Sequence, residues 1–192
     1  TPNKTHFMQP IFRNVAVVGT GAMGRGIAQM AAQAGATVWL FDAQPGAADA
    51  ARAALEGTWN SLVAKQRMAT EAAADCLSRL RIATGMTDLA ACDLVVEAIV
   101  ERLEIKQKVF AELEGIVGPE AVLATNTSSL SVTAIGAALK RPERFAGWHF
   151  FNPVPLMKVV EVIAGLKTDA AVCQRLDAFA RAFGHTPVMA QD

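Results

Sequence analysis

The stretch that most constrains this chain is VAVVGTGAMGRGIAQMAAQAGATVWLFD, residues 15–42, in which Gly19, Gly21 and Gly24 fall in G-x-G-x-x-G spacing. The glycines follow one β-branched run, open a segment of helical period, and are followed by a second run ending at Asp42. A strand, a tight turn, a helix and a strand in that order make a βαβ unit, and each glycine has its own duty in it. Gly19 permits the tight turn, Gly21 lets backbone approach a diphosphate, and Gly24 lets the helix pack close to the strand.

The amides and dipole at the start of such a helix favour a diphosphate. Ala22 and Met23 lie in the same loop and count with the three glycines as cofactor-binding positions. Asp42 ends the second run, where its carboxylate can accept both hydroxyls of an adenosine ribose. Ala43 and Gln44 follow it, with no arginine to neutralise a 2′-phosphate, so NAD is expected rather than NADP. The bland alternative is a glycine-rich turn with Asp42 as a cap.

Beyond this unit, short β-branched runs alternate with helical segments, the pattern of repeated βαβ units. The runs NVAVVG, TVWLFD, LRIAT, DLVVEAI, AVLATN, RFAGWHF and KVVEVIA read as strands, several of them continuously apolar as in a sheet covered on both faces. The fold class expected is α/β, a Rossmann-type doubly wound, mostly parallel sheet. Leu55, Trp59 and Leu62 mark a long helix between Pro45 and Arg67, and a second helix over 70–80 completes a helical hairpin inserted between the second and third strands. Ile105, Val109, Leu113 and Ile116 read as the buried stripe of a later helix, with Glu104 and Lys108 paired on its exposed side. The helix DAAVCQRLDAFARAFG should stop at Gly184. Residues 1–12, with His6, read as a polar lead-in, and residues 13–192 as one domain.

Composition excludes several classes. Eighteen basic residues balance eighteen acidic ones without a Lys/Arg cluster, so nucleic acid is not expected as a partner. No apolar run approaches the roughly 20 residues that span a bilayer, so no membrane partner is expected. Cys76, Cys92 and Cys173 are odd in number and far apart, which argues against a disulfide framework and against structural zinc and fits a reducing compartment.

In a doubly wound sheet, ligands bind beyond the carboxyl ends of the strands. EAIVE, TNTSS and HFFNP occupy three such places. His149 and Glu161 are symmetric about Pro155, so a hairpin through FNPVPLM would set them opposite each other on paired strands. A carboxylate there would fix the imidazole tautomer and stabilise its protonated form, as a general base requires. Ser128 could hold a substrate oxygen nearby. Against this stand blander roles: His149 as a hydrogen-bonded core residue, and Ser128 as part of a polar turn before a helix that Ser131 could cap. A glutamate in an otherwise apolar strand needs a partner, which weighs toward the pair. His185, after Gly184, reads as structural.

GTGAMGRGIAQ, VVEAIVE, TNTSSLSVTAI and RFAGWHFFNPVPLMKVVEVI together resemble the NAD-binding domain of the 3-hydroxyacyl-CoA dehydrogenases, from about Arg13 to the last residue. The resemblance implies His149 as general base, Glu161 as its partner, and Ser128 beside substrate and nicotinamide. It also implies that Glu101, Lys106, Asn126 and Asn152 line the nicotinamide side, and that Arg52 and Lys65 on the helical hairpin are candidates for coenzyme A phosphates. Helical surface charge explains those two equally well. The implied reaction is reversible oxidation of an (S)-3-hydroxyacyl-CoA to the 3-oxoacyl-CoA, with an acyl-CoA as substrate.

Family members continue into a helical second domain that adds a catalytic asparagine and forms a homodimer; that domain is expected to lie outside this chain. The chain alone should then bind NAD(H) and turn over weakly or not at all. Two alternatives remain: a crystallin-like non-catalytic relative, and a dehydrogenase of free hydroxy acids. The alanine-rich composition suggests a bacterial cytoplasmic protein, with a mitochondrial matrix enzyme as the second possibility.

Overall fold

The computed structural model describes residues 11–192; His6 and the rest of residues 1–10 lie outside that range. The strands are β1 (Asn14–Val18), β2 (Thr37–Phe41), β3 (Leu80–Ile82), β4 (Leu94–Glu97), β5 (Val122–Thr125), β6 (Phe145–Phe150), β7 (Val159–Ala164) and β8 (Thr186–Gln191). The helices are α1 (Ala22–Gln33), α2 (Ala47–Ala64), α3 (Thr70–Ser78), α4 (Leu103–Glu114), α5 (Val132–Gly136) and α6 (Ala170–Ala182). All eight strands form one sheet in the order β3-β2-β1-β4-β5-β6-β7-β8. Strands β1 to β6 are mutually parallel, β7 is antiparallel to β6, and β8 is parallel to β7.

Every residue of β4 and β5 is buried, because helices cover both faces. Alternate residues feed two separate cores. Val15 and Val17 pack with residues of α1, α2 and α6, whereas Ala16 and Val18 pack with Phe110 and Leu113 of α4 and Ile135 of α5. The α2–α3 hairpin is pinned to α1 through Trp59, 1% exposed, whose indole N–H donates to Gln33 Oε1 at 3.0 Å. Cys76, Cys92 and Cys173 are all free and buried. Burial, then the neighbouring Asp93 carboxylate, pushes the Cys92 thiol up to about 12, which keeps it inert.

Four details depart from expectation. Phe12 belongs to the core rather than to a lead-in: it is fully buried, its ring 5.3 Å from that of Phe179. An eighth strand, TPVMAQ, was not foreseen because Pro187 interrupts its pattern; a proline is tolerated there because β8 is an edge strand. The buried residues of α4 are Lys106, Phe110 and Leu113; of the expected stripe Leu113 is buried, whereas Ile105, Val109 and Ile116 are half-buried. Lys106 takes an inward position because it finds a counter-charge on the sheet. Finally, Glu104 and Lys108 form no ion pair among the described residues; both instead line a cavity.

Candidate functional site

The strand order reverses between β1 and β4, and α1 and α4, which follow these strands, lie on opposite faces of the sheet. Their carboxyl ends therefore open a crevice, the place where doubly wound sheets bind ligands. Two adjoining cavities occupy it, sharing Ala98 and Ile99 as a common wall.

The larger cavity, about 780 Å³, is bordered by Gly19, Thr20, Gly21 and Asp42 on one side and by Ile99, Ile105 and Val109 on the other. Gly19 has φ +95°, and a Cβ on it would sit 2.6 Å from the Ala98 carbonyl oxygen. A Cβ on Gly24 would fall 1.8 Å from the Gly19 carbonyl oxygen, so the turn and α1 tolerate no side chain at either position. Around Gly21, by contrast, no atom lies within 4 Å of where a Cβ would stand, so its backbone is open to an approaching group. Gly21 is also the N-cap of α1 and supplies no side-chain hydrogen bond. The first amides of α1 are thus left for a ligand, and a diphosphate fits them.

Asp42 is more committed than expected. Its Oδ2 accepts from the Thr20 amide (2.8 Å) and hydroxyl (2.9 Å), and its Oδ1 accepts from the Gln44 amide (2.9 Å). With three of about four acceptor sites taken, one remains on Oδ1, so the carboxylate suits one ribose hydroxyl better than two. Burial pushes this carboxyl up, but the Thr20 and Gln44 donors outweigh it and hold Asp42 below the usual carboxylate range. The anion persists and would repel a 2′-phosphate, in keeping with NAD.

The smaller cavity, about 320 Å³, brings together Met23, Glu101, Lys106, Asn126, Ser128, His149 and Asn152. The Asn126 side-chain oxygen accepts from the Phe150 amide at 2.8 Å, which locks the end of β5 to the end of β6 beside His149. The β6–β7 register sets His149 opposite Glu161, and His149 Nδ1 lies 2.9 Å from Glu161 Oε1. The carboxylate can only accept, so Nδ1–H donates, and in the neutral ring the lone pair lies on Nε2. Ser128 is exposed and makes no hydrogen bond to the described residues, so its hydroxyl is available. Ser131 caps α5, accepting from the Ala134 amide at 3.1 Å. Arg52 and Lys65 line neither cavity.

Sequence reasoning missed Glu97, Thr125 and Thr127. Glu97 and Lys106 form a salt bridge of 2.5 Å with 0% and 1% side-chain exposure. The one available signal was a glutamate inside the apolar run DLVVEAI. Among the described residues no group of three or more His, Cys, Asp or Glu could hold a metal ion, and no helix is long and apolar enough to cross a membrane.

A glycine-turn crevice beside a His–Glu pair defines a dinucleotide-binding domain of dehydrogenase type. A family model described as "3-hydroxyacyl-CoA dehydrogenase, NAD binding domain" matches residues 14–192, and the chain belongs to that family. It is 46% identical over 176 residues to 3-hydroxyadipyl-CoA dehydrogenase of Escherichia coli, covering 92% of this chain and 37% of the relative. It is 42% identical over 185 residues to 3-hydroxybutyryl-CoA dehydrogenase of Bradyrhizobium diazoefficiens, covering 96% of this chain and 63% of the relative. A crystal structure of 3-hydroxybutyryl-CoA dehydrogenase from Escherichia coli K12 superimposes with a TM-score of 0.92 at 44% identity, over 94% of this chain and 38% of that one. The chain thus spans between 37% and 63% of the length of these curated relatives.

Proposed function

We propose that this chain is the cofactor-binding part of an enzyme that reversibly oxidises the C3 hydroxyl of 3-hydroxyacyl-CoA thioesters, with His149 as general base. The observation that carries the reading is the 2.9 Å contact between His149 Nδ1 and Glu161 at a cavity that also holds Ser128. Glu161 fixes the tautomer and stabilises the imidazolium, so Nε2 takes the substrate hydroxyl proton. Ser128 holds the substrate oxygen. Bound NAD supplies the acceptor for the hydride leaving C3; Gly21, the first turn of α1 and Asp42 would hold its adenosine diphosphate half, and Lys106, Asn126 and Asn152 would line its nicotinamide half.

The names of the two relatives support acyl-CoA substrates, and a further relative, the fatty acid oxidation complex subunit alpha of Pseudomonas putida, 38% identical over 180 residues, supports a place in fatty acid oxidation. Ser128 and Asn152 are exposed, so water reaches the reacting centre in this chain by itself. Its own turnover is therefore slow, since exclusion of water and positioning are worth orders of magnitude.

The test is NADH formation from 3-hydroxybutyryl-CoA, run beside free 3-hydroxybutyrate and a His149→Gln variant. A slow, thioester-specific rate that the variant loses is expected. Equal rates for variant and wild type, or a preference for the free acid, would contradict the reading, and near-normal turnover would contradict the slow-rate expectation.

A further inference from the structure

We infer that Glu97 is a positioning residue for the nicotinamide half of the cleft, acting through Lys106, Ile99 and the Thr125–Thr127 turn. The inference rests on the NAD reading of the two cavities.

Glu97 ends the central strand β4 and is fully buried. Its Oε2 accepts from the Ile99 amide (2.7 Å) and from Lys106 Nζ (2.5 Å), and its Oε1 accepts from the Thr125 hydroxyl (2.6 Å). These donors come from the β4–α4 turn, from α4 and from β5. Each leads to the cavity around His149: Ile99 and Lys106 line it, and Thr125 precedes Asn126, which lines it as well.

The connection continues beyond β5. The Thr125 hydroxyl accepts from the Thr127 amide at 3.2 Å. The Thr127 hydroxyl in turn donates to Glu101 Oε1 and accepts from the Leu130 amide at 3.1 Å. The turn carrying Ser128 is thus suspended from Glu97 through two hydroxyl groups, while Ser128 itself stays free of protein partners.

Stability gives no reason to place a carboxylate here. Desolvating an ion pair costs several kcal/mol per ion, and well-packed apolar residues of similar volume often serve as well or better. What a carboxylate provides and a leucine does not is three directed acceptor contacts, each fixing a different wall of one cavity. The glycine loop and Asp42 make no hydrogen bond to Glu97, and of the residues it holds only Ile99 also borders the larger cavity, so the adenosine half depends on this network less than the nicotinamide half does.

The experiment titrates the chain with NADH and with ADP-ribose, which lacks the nicotinamide, for wild type, Glu97→Gln, Thr125→Val and Thr125→Ser. Thermal unfolding identifies the variants that fold. Glu97→Gln and Thr125→Val should weaken NADH about tenfold or more, the effect of leaving one or two buried groups unsatisfied, and ADP-ribose by less than about threefold. Thr125→Ser, which keeps the hydroxyl, should restore NADH affinity. If Glu97→Gln does not fold, the isosteric Thr125→Val decides alone. Equal losses for both ligands, or wild-type NADH affinity in a folded Thr125→Val, would overturn the inference. A wild-type chain that binds neither ligand would instead refute the NAD reading, and the inference with it.

Discussion

Two histidines beside the β6–β7 hairpin show what separates an open imidazole from a packed one. His149 keeps 15% of its side chain exposed and meets a carboxylate; His185 is 3% exposed, and its Nε2–H donates to the Val154 carbonyl oxygen at 2.9 Å. Phe150 and Phe183 surround His185, with ring centroids 5.5 and 6.0 Å away. A proton gained by His149 is met by Glu161 and by water. One gained by His185 would put a charge among aromatic rings, and burial accordingly pushes its pKa below the ordinary 6.5, with the Lys158 charge adding to the effect and the Val154 contact opposing it. The same side chain is therefore open to proton exchange in one place and fastens the Val154 loop in the other.

The largest expected contrast comes from removing His149. His149→Gln should lower the rate of NADH formation by about 10²- to 10⁴-fold, the usual worth of a general base, while shifting urea-unfolding stability by about 1 kcal/mol or less. His185→Ala should do the reverse: a loss of about 1–3 kcal/mol, read as roughly 2–4 °C in Tm per kcal/mol, with NADH affinity unchanged. A comparable fall in NADH affinity in that variant would break the comparison.

A smaller effect sharpens it through pH. The unfolded state takes up a proton on His185 as the pH falls through about 6.5, and the folded state does so only at lower pH, so stability drops with acidification below 6.5. His185→Gln should flatten that part of a Tm-against-pH series. The smallest effect belongs to Glu161→Gln. The Glu161 side chain is 36% exposed, so losing this half-open pair should cost about 1 kcal/mol of stability or less while slowing turnover.

The parts legible in the sequence were those written in local chemistry. Gly24 is forced by a backbone contact within one βαβ unit and Gly19 by its positive φ in the same turn, and the His149–Glu161 register followed from the symmetry of a short hairpin around Pro155. What stayed hidden depends on contacts between distant elements. Lys106 breaks the apolar periodicity of α4 because its counter-charge sits on β4, so a reading by hydropathy found Leu113 but missed Lys106 and Phe110. Thr125 and Thr127 look like ordinary turn residues until Glu97 and Glu101 are seen beside them. Phe12 lies outside every periodic run of the sequence, and part of the core it enters is Phe179 of α6, arriving from the other end of the chain.

The most direct test of the account is a titration of the histidine-labelled chain with NADH, following the ring resonances by NMR, with His149→Gln used for assignment. The His149 signal should move as the cofactor cleft fills, and the His185 signal should stay where it was. NADH binding that leaves His149 unmoved would contradict the placement of the His149–Glu161 pair at the reacting end of the cofactor.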